Sequence, residues 1–146
     1  MSFTIVVGYD GSSGAQAALD EAVELARRVS GEVVVAYAYG GPHTYSGAPL
    51  TPRSTLKQLG ETTLADAVER TGHAGVPIEP VLVNDSVTSG LLELAHERQA
   101  DLIVVGSHGE SAVTGLLLGS TAYRLVHLST RPVVVVPDTR RARKAA

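Results

Sequence analysis

Apolar residues along the chain fall into two alternating patterns. Short, nearly unbroken β-branched runs occur at Thr4-Ile5-Val6-Val7, at 32–38 (EVVVAYA), at 78–83 (IEPVLV), at Leu102-Ile103-Val104-Val105 and from Pro132 to Val136. Strands covered on both faces read this way, whereas half-exposed antiparallel strands alternate apolar with polar. Between the runs, apolar residues recur at helical spacing. Ala15, Ala18, Leu19, Ala22, Leu25, Ala26 and Val29 make one stripe, stopped by Gly31. Leu56, Leu59, Thr63, Ala67 and Thr71 make a second, stopped by Gly72. Leu91, Leu94, Ala95 and Arg98 predict a third helix, and Ala122, Leu125, Val126 and Ser129 a fourth. Strand and helix thus alternate four times before a final strand. That order predicts an α/β fold: a doubly wound parallel sheet of five strands with helices on both faces and right-handed crossovers.

No repeat, low-complexity stretch or linker divides the chain, so 1–138 reads as one domain and 139–146 as a basic C-terminal tail. The longest irregular stretch, from Gly40 to Arg53, carries the Gly, Pro and Ser of loop chemistry. At 146 residues the chain can bury a core without staples. It contains no cysteine, which excludes disulfides, thiolate metal sites and thiol catalysis. No apolar run approaches the ~20 residues that span a bilayer. The opening residues, MSFTIVVGYDGS, lack the regions of a signal peptide. The expectation is a soluble, cytoplasmic protein with no membrane partner.

Charge is unevenly spread. Of 12 basic residues, the last nine positions hold four (Arg140, Arg141, Arg143 and Lys144), and of 15 acidic residues they hold one. The rest of the chain keeps 8 basic and 14 acidic side chains, a balance of −6. Such a body is a poor surface for phosphodiester backbones, so nucleic acid is not expected as a partner. The tail itself reads as a solvated terminus.

Ligands of doubly wound sheets bind at the carboxyl ends of strands, where strand order reverses. The first strand ends in Gly8-Tyr9-Asp10-Gly11-Ser12, and the fourth in Gly106-Ser107-His108-Gly109. Gly119-Ser120-Thr121 then opens the last helix. Gly106, without a Cβ, would let a ligand lie close to the backbone, and Gly109 can turn the loop at positive φ. The first N–H groups of the last helix lack intrahelical partners. With the helix dipole and two hydroxyls, they suit phosphate. Asp10 repels phosphate directly but fits ribose hydroxyls, a base amine, or a Mg²⁺ ion shared with phosphates. His108 is a further donor within the turn, whereas Ser12 and Ser13 read more simply as caps of the first helix. Leu116, Leu117 and Leu118 read as anchors of the loop to the core. A chain of this composition meets Gly-x2-Gly-x9-Gly-[Ser/Thr] by chance roughly 0.02 times, so the pattern carries information.

Other nucleotide and hydrolase motifs are missing. No glycines stand at i, i+2, no lysine follows a glycine as in a P-loop, and no GxSxG elbow occurs. His43, His73, His96 and His127 are too scattered to suggest a metal cluster.

The glycine pattern at Gly106, Gly109, Gly119 and Ser120, with IVVGYDGS, DLIVVGSHG, LLLGS and RPVVVVP in this order, resembles the universal stress protein family, specifically its ATP-binding subgroup. The resemblance covers residues 3–137. It implies the strand order 3-2-1-4-5, with the switch point between strands one and four. It implies ATP beside Tyr9, Asp10 and Gly11, with the backbone of Ala38 at the adenine edge. Gly106, Ser107, His108 and Gly109 would cover the ribose and α-phosphate, and Gly119, Ser120 and Thr121 would hold phosphates. It also implies a homodimer through the fifth strand, the run that begins at Pro132 and ends at Val136, and a nucleotide-dependent role in stress response. Two departures stand out. Glu110 replaces the Lys or Arg found in many relatives, and Asp85-Ser86-Val87 replaces the usual Gly-x-Pro. ATP is the expected ligand, with AMP or a cyclic nucleotide as alternatives. A slow Mg-dependent ATPase and a purely protein-binding module are the competing functions.

Overall fold

The computed structural model describes residues 2–40, 51–108 and 118–138. Five strands alternate with four helices: β1 (Thr4–Gly8), α1 (Ser13–Val29), β2 (Glu32–Ala38), α2 (Arg53–Thr71), β3 (Ile78–Val83), α3 (Val87–Glu97), β4 (Leu102–Gly106), α4 (Ser120–Leu128) and β5 (Val133–Val136). All strand pairs are parallel, in the order β3-β2-β1-β4-β5. The expected fold class and strand order are therefore those of the structure.

Two-sided burial explains the β-branched runs. Ile5, Val7, Val33, Val35 and Val104 face one way, onto α1 and α2 through Ala18, Leu19, Ala22, Leu64 and Ala67. Val6, Val34, Ala36, Ile103 and Val105 face the other, onto Leu91, Leu94, Ala95, Ala122 and Leu125 of α3 and α4. Successive residues of a strand point to opposite faces, so the inner strands β1, β2 and β4 are apolar at consecutive positions, whereas the border strand β3 carries the exposed Glu79 and Pro80. No helix among the described residues is long and apolar enough to cross a membrane.

Three local readings are corrected. The stop of α1 is Ser30, which takes the left-handed conformation at φ 54°. Gly31 serves close approach instead, since a Cβ there would lie 2.4 Å from the Phe3 carbonyl oxygen. In α2 the buried stripe is Gly60, Leu64, Ala67 and Thr71, while Leu59 is 53% exposed. The helix rests where it has no side chain: a Cβ on Gly60 would meet Tyr37 and Leu82 at 2.6 and 2.7 Å. In α4, Ala122 and Leu125 are buried as expected but Val126 is exposed. Leu118 packs against the α3/α4 core as an anchor. Leu116 and Leu117 lie outside the described residues, as do Gly109, Glu110, His43 and the tail.

Candidate functional site

The carboxyl ends of β1 and β4, neighbours at the centre of the sheet, define the switch point. Beyond β1, the Tyr9 N–H donates to the Ala36 carbonyl at 2.9 Å, which keeps the chain beside β2 for one more residue. The Tyr9 side chain turns into the core under α1 and α2 and is only 5% exposed. Burial raises its pKa; Arg70 opposes the rise, and Asp66, Asp20 and Asp10 add to it. Arg70 itself bridges α2 to Asp20 of α1 at 2.7 Å.

Asp10 then turns the chain. Its Oδ1 accepts the Ser12 N–H at 2.9 Å and the Ser12 hydroxyl at 2.5 Å. Gly11 between them sits at φ +84°, which a side chain would strain. The Ser12 hydroxyl also accepts the Ala15 N–H at 3.2 Å and so caps α1, as expected. Ser13 does something else: its hydroxyl donates to Asp138, a buried carboxylate just past β5.

At the end of β4, Gly106 lies against α1. A Cβ on Gly106 would meet the Gly14 carbonyl oxygen at 2.7 Å, and one on Gly14 would meet the His108 carbonyl oxygen at 2.3 Å. The close approach read from Gly106 is thus made by the first turn of α1. The Ser107 N–H donates to Val136 at 2.9 Å, its carbonyl accepts the Gly119 N–H at 2.6 Å, and its hydroxyl lies 3.1 Å from His108 Nδ1. Ser107 therefore stitches β4, β5 and the start of α4 together. Gly119 is the N-cap of α4 in extended conformation, and among the described residues no side chain caps the helix. Ser120 and Thr121 follow in its first turn, where the leading amides of a helix have no intrahelical partner. Ala38 closes β2, paired with Val83.

The structure accordingly gathers Asp10, Gly11, Gly106, Ser107, His108, Gly119, Ser120 and Thr121 around one edge, with Ala38 ending the adjacent strand. Sequence reasoning missed Gly14 and Asp138. Gly14 was findable, because a glycine in the first turn of a helix costs stability and asks for a packing reason. Asp138 gave no signal, since its partner is 125 residues away. Among the described residues no three His, Asp or Glu side chains gather to hold a metal.

Fold and site together define a doubly wound α/β protein whose switch point brings the glycine that ends β4 to the N-terminus of α4. The model of the universal stress protein family matches residues 1–137, and the chain belongs to that family. It is 32% identical to the universal stress protein YxiE of Bacillus subtilis, over 90% of this chain and 97% of the relative. Among solved structures, it is similar to a universal stress protein in complex with cAMP, at TM-score 0.73 and 32% identity over 92% of this chain and 96% of the other. It is also similar to the universal stress protein from Archaeoglobus fulgidus in complex with dAMP, at TM-score 0.71 and 25% identity over 92% and 97% of the two chains.

Proposed function

We propose that this chain binds ATP at the carboxyl ends of β1 and β4 and acts as a nucleotide-dependent regulatory protein of stress response, as a cytoplasmic homodimer. The observation that carries the reading is the start of α4. Its N-cap is a glycine bonded to Ser107 after β4, no side chain among the described residues caps it, and Ser120 and Thr121 follow. Free amides at a helix N-terminus favour an anion, and hydroxyls add further donors. Solved relatives in complex with cAMP and dAMP support an adenine nucleotide. Adenosine would lie beside Asp10 and Gly11 with its base toward Ala38, the ribose and first phosphate would run under Gly106, Ser107, His108 and Gly109, and the remaining phosphates would reach 119–121. Because the Tyr9 ring is buried, its contribution is through the backbone.

Asp10 suits a ribose hydroxyl, since its carboxylate is already oriented by Ser12. One carboxylate is too few to hold Mg²⁺ alone, but it fits a cation that arrives on a triphosphate and keeps several waters. A monophosphate or cyclic nucleotide is the second reading. It is favoured by the ligands of the two similar structures and by Glu110 beside the turn.

Calorimetry with ATP, AMP and cAMP tests the site. Gly119→Val should abolish binding while circular dichroism and the thermal transition stay those of the unaltered protein. Undiminished affinity in that variant, or no binding by the unaltered chain, sinks the assignment.

A further inference from the structure

The ladder between β4 and β5 ends where Gly106 pairs with Val136. The next residue, Pro137, has no N–H to continue it. The chain is nevertheless fixed once more, one residue further on. Asp138 is buried, and its carboxylate accepts the Ser13 hydroxyl from the first turn of α1. A carboxylate taken out of water needs donors, and a hydrogen bond to a charged acceptor is among the stronger ones. Its charge also stands at the N-terminus of α1, where the helix dipole favours it. Ser13 is free for this task because Ser12 already caps the helix through the Ala15 N–H.

The bond holds the backbone of the candidate site. Gly14 follows Ser13, and its carbonyl oxygen would lie 2.7 Å from a Cβ on Gly106. A Cβ on Gly14 would fall 2.3 Å from the His108 carbonyl oxygen. Ser107, between those two, donates its N–H to Val136 at 2.9 Å and accepts the Gly119 N–H at 2.6 Å. The links close on themselves: Ser13 and Gly14 to Gly106 and His108, Ser107 to Val136, and Asp138 back to Ser13. Gly119, the N-cap of α4, is bonded to the middle of that ring. The other half of the site is set differently. Asp10 is oriented by Ser12 within its own turn, and Ala38 by its pairing with Val83.

We propose that Ser13 and Asp138 are a positioning pair for the phosphate half of the site. Neither touches the nucleotide; their bond sets where the amides of 119–121 stand relative to 106–108. A binding constellation is only as well placed as the contacts behind it. The inference rests on the nucleotide reading above, and it makes affinity for phosphate depend on a bond between residues 125 positions apart.

The test is calorimetry with ATP and adenosine on the full chain and its variants, with circular dichroism as the check on folding. Ser13→Ala and Asp138→Ala should each weaken ATP by about tenfold, the strength of one charged hydrogen bond, and leave adenosine unchanged. The double variant should lose no more than either single one, because both remove the same bond. Ser13→Thr keeps a hydroxyl and Asp138→Asn keeps an acceptor, so each should bind ATP better than its alanine counterpart. If Asp138→Ala does not fold, Ser13→Ala against Ser13→Thr decides alone. Val134→Ala controls for a merely structural role: it thins the packing of β5 on the α1 side and leaves the pair intact. It should lower the thermal transition without changing the ratio of ATP to adenosine affinity. Unchanged ATP affinity in the alanine variants overturns the proposal, as do additive losses, a loss shared by adenosine, or the same shift of ratio in Val134→Ala. A full chain that binds neither probe overturns the nucleotide reading itself, which separates the two failures.

Discussion

Tyr9 shows how one residue can serve the site without facing it. Its N–H extends the sheet to Ala36, and its ring locks the turn to the α1/α2 core. The phenol is held neutral by burial, so its folded pKa stands above the usual 10.0. Below that pH both folded and unfolded chains keep the proton, and the packing contribution is complete. As pH rises past it the unfolded chain ionises first, which draws the equilibrium toward unfolding. Stability measured by urea melts should therefore fall more steeply between pH 9 and 11 than in Tyr9→Phe, and the slowest phenol to titrate by ultraviolet absorbance should vanish in that variant. Parallel slopes in the two proteins would place the tyrosine in water.

At the scale of elements, the meeting of α1 with the β4 turn sets the geometry of the edge. Gly14→Ala exchanges the poorest helix former but proline for the best, a gain of up to ~1 kcal/mol in an open helix. Here the added methyl would fall 2.3 Å from a backbone carbonyl, and backbone does not yield as a flexible side chain does. The expected net loss is about 1–2 kcal/mol by chemical denaturation, since overpacking costs ~1–3 kcal/mol and outweighs propensity. Nucleotide affinity should fall with it. A stabilised variant would mean the two segments part easily. The same contact marks the limit of what could be read in advance. The strand runs and, among the described residues, the four helices were legible because each follows from a local period. The stripe of α2 was misphased because Gly60 adds nothing to an apolar pattern yet decides where the helix rests. The bond between Ser13 and Asp138 was invisible for a different reason: it depends on two segments brought together only by the finished sheet.

For the whole molecule, the two borders of the sheet differ in kind. On β3, Glu79 and Pro80 are exposed, and a charge and a missing N–H both discourage a new strand. On β5, four valines stand in a row. The carbonyls of Pro132 and Val136 accept N–H groups of Ile103 and Ser107, so even-numbered residues turn their backbone toward β4. Val133 and Val135 turn theirs outward, the side on which the proposed homodimer would add the matching strand. Val135→Pro removes an outward N–H without touching the internal ladder. Sedimentation should find a dimer for the unaltered chain and a folded monomer for this variant. A monomer in both cases ends the case for pairing through β5.

The first strand occupies the middle of the sheet, and the Thr4 N–H is satisfied by Asp101, 97 positions downstream. During synthesis one flank of β1 therefore stays uncovered until β4 (Leu102–Gly106) has been made. A small molecule bound between the ends of β1 and β4 would stabilise only chains in which β4 has already docked, and so would reward late assembly rather than guide early folding.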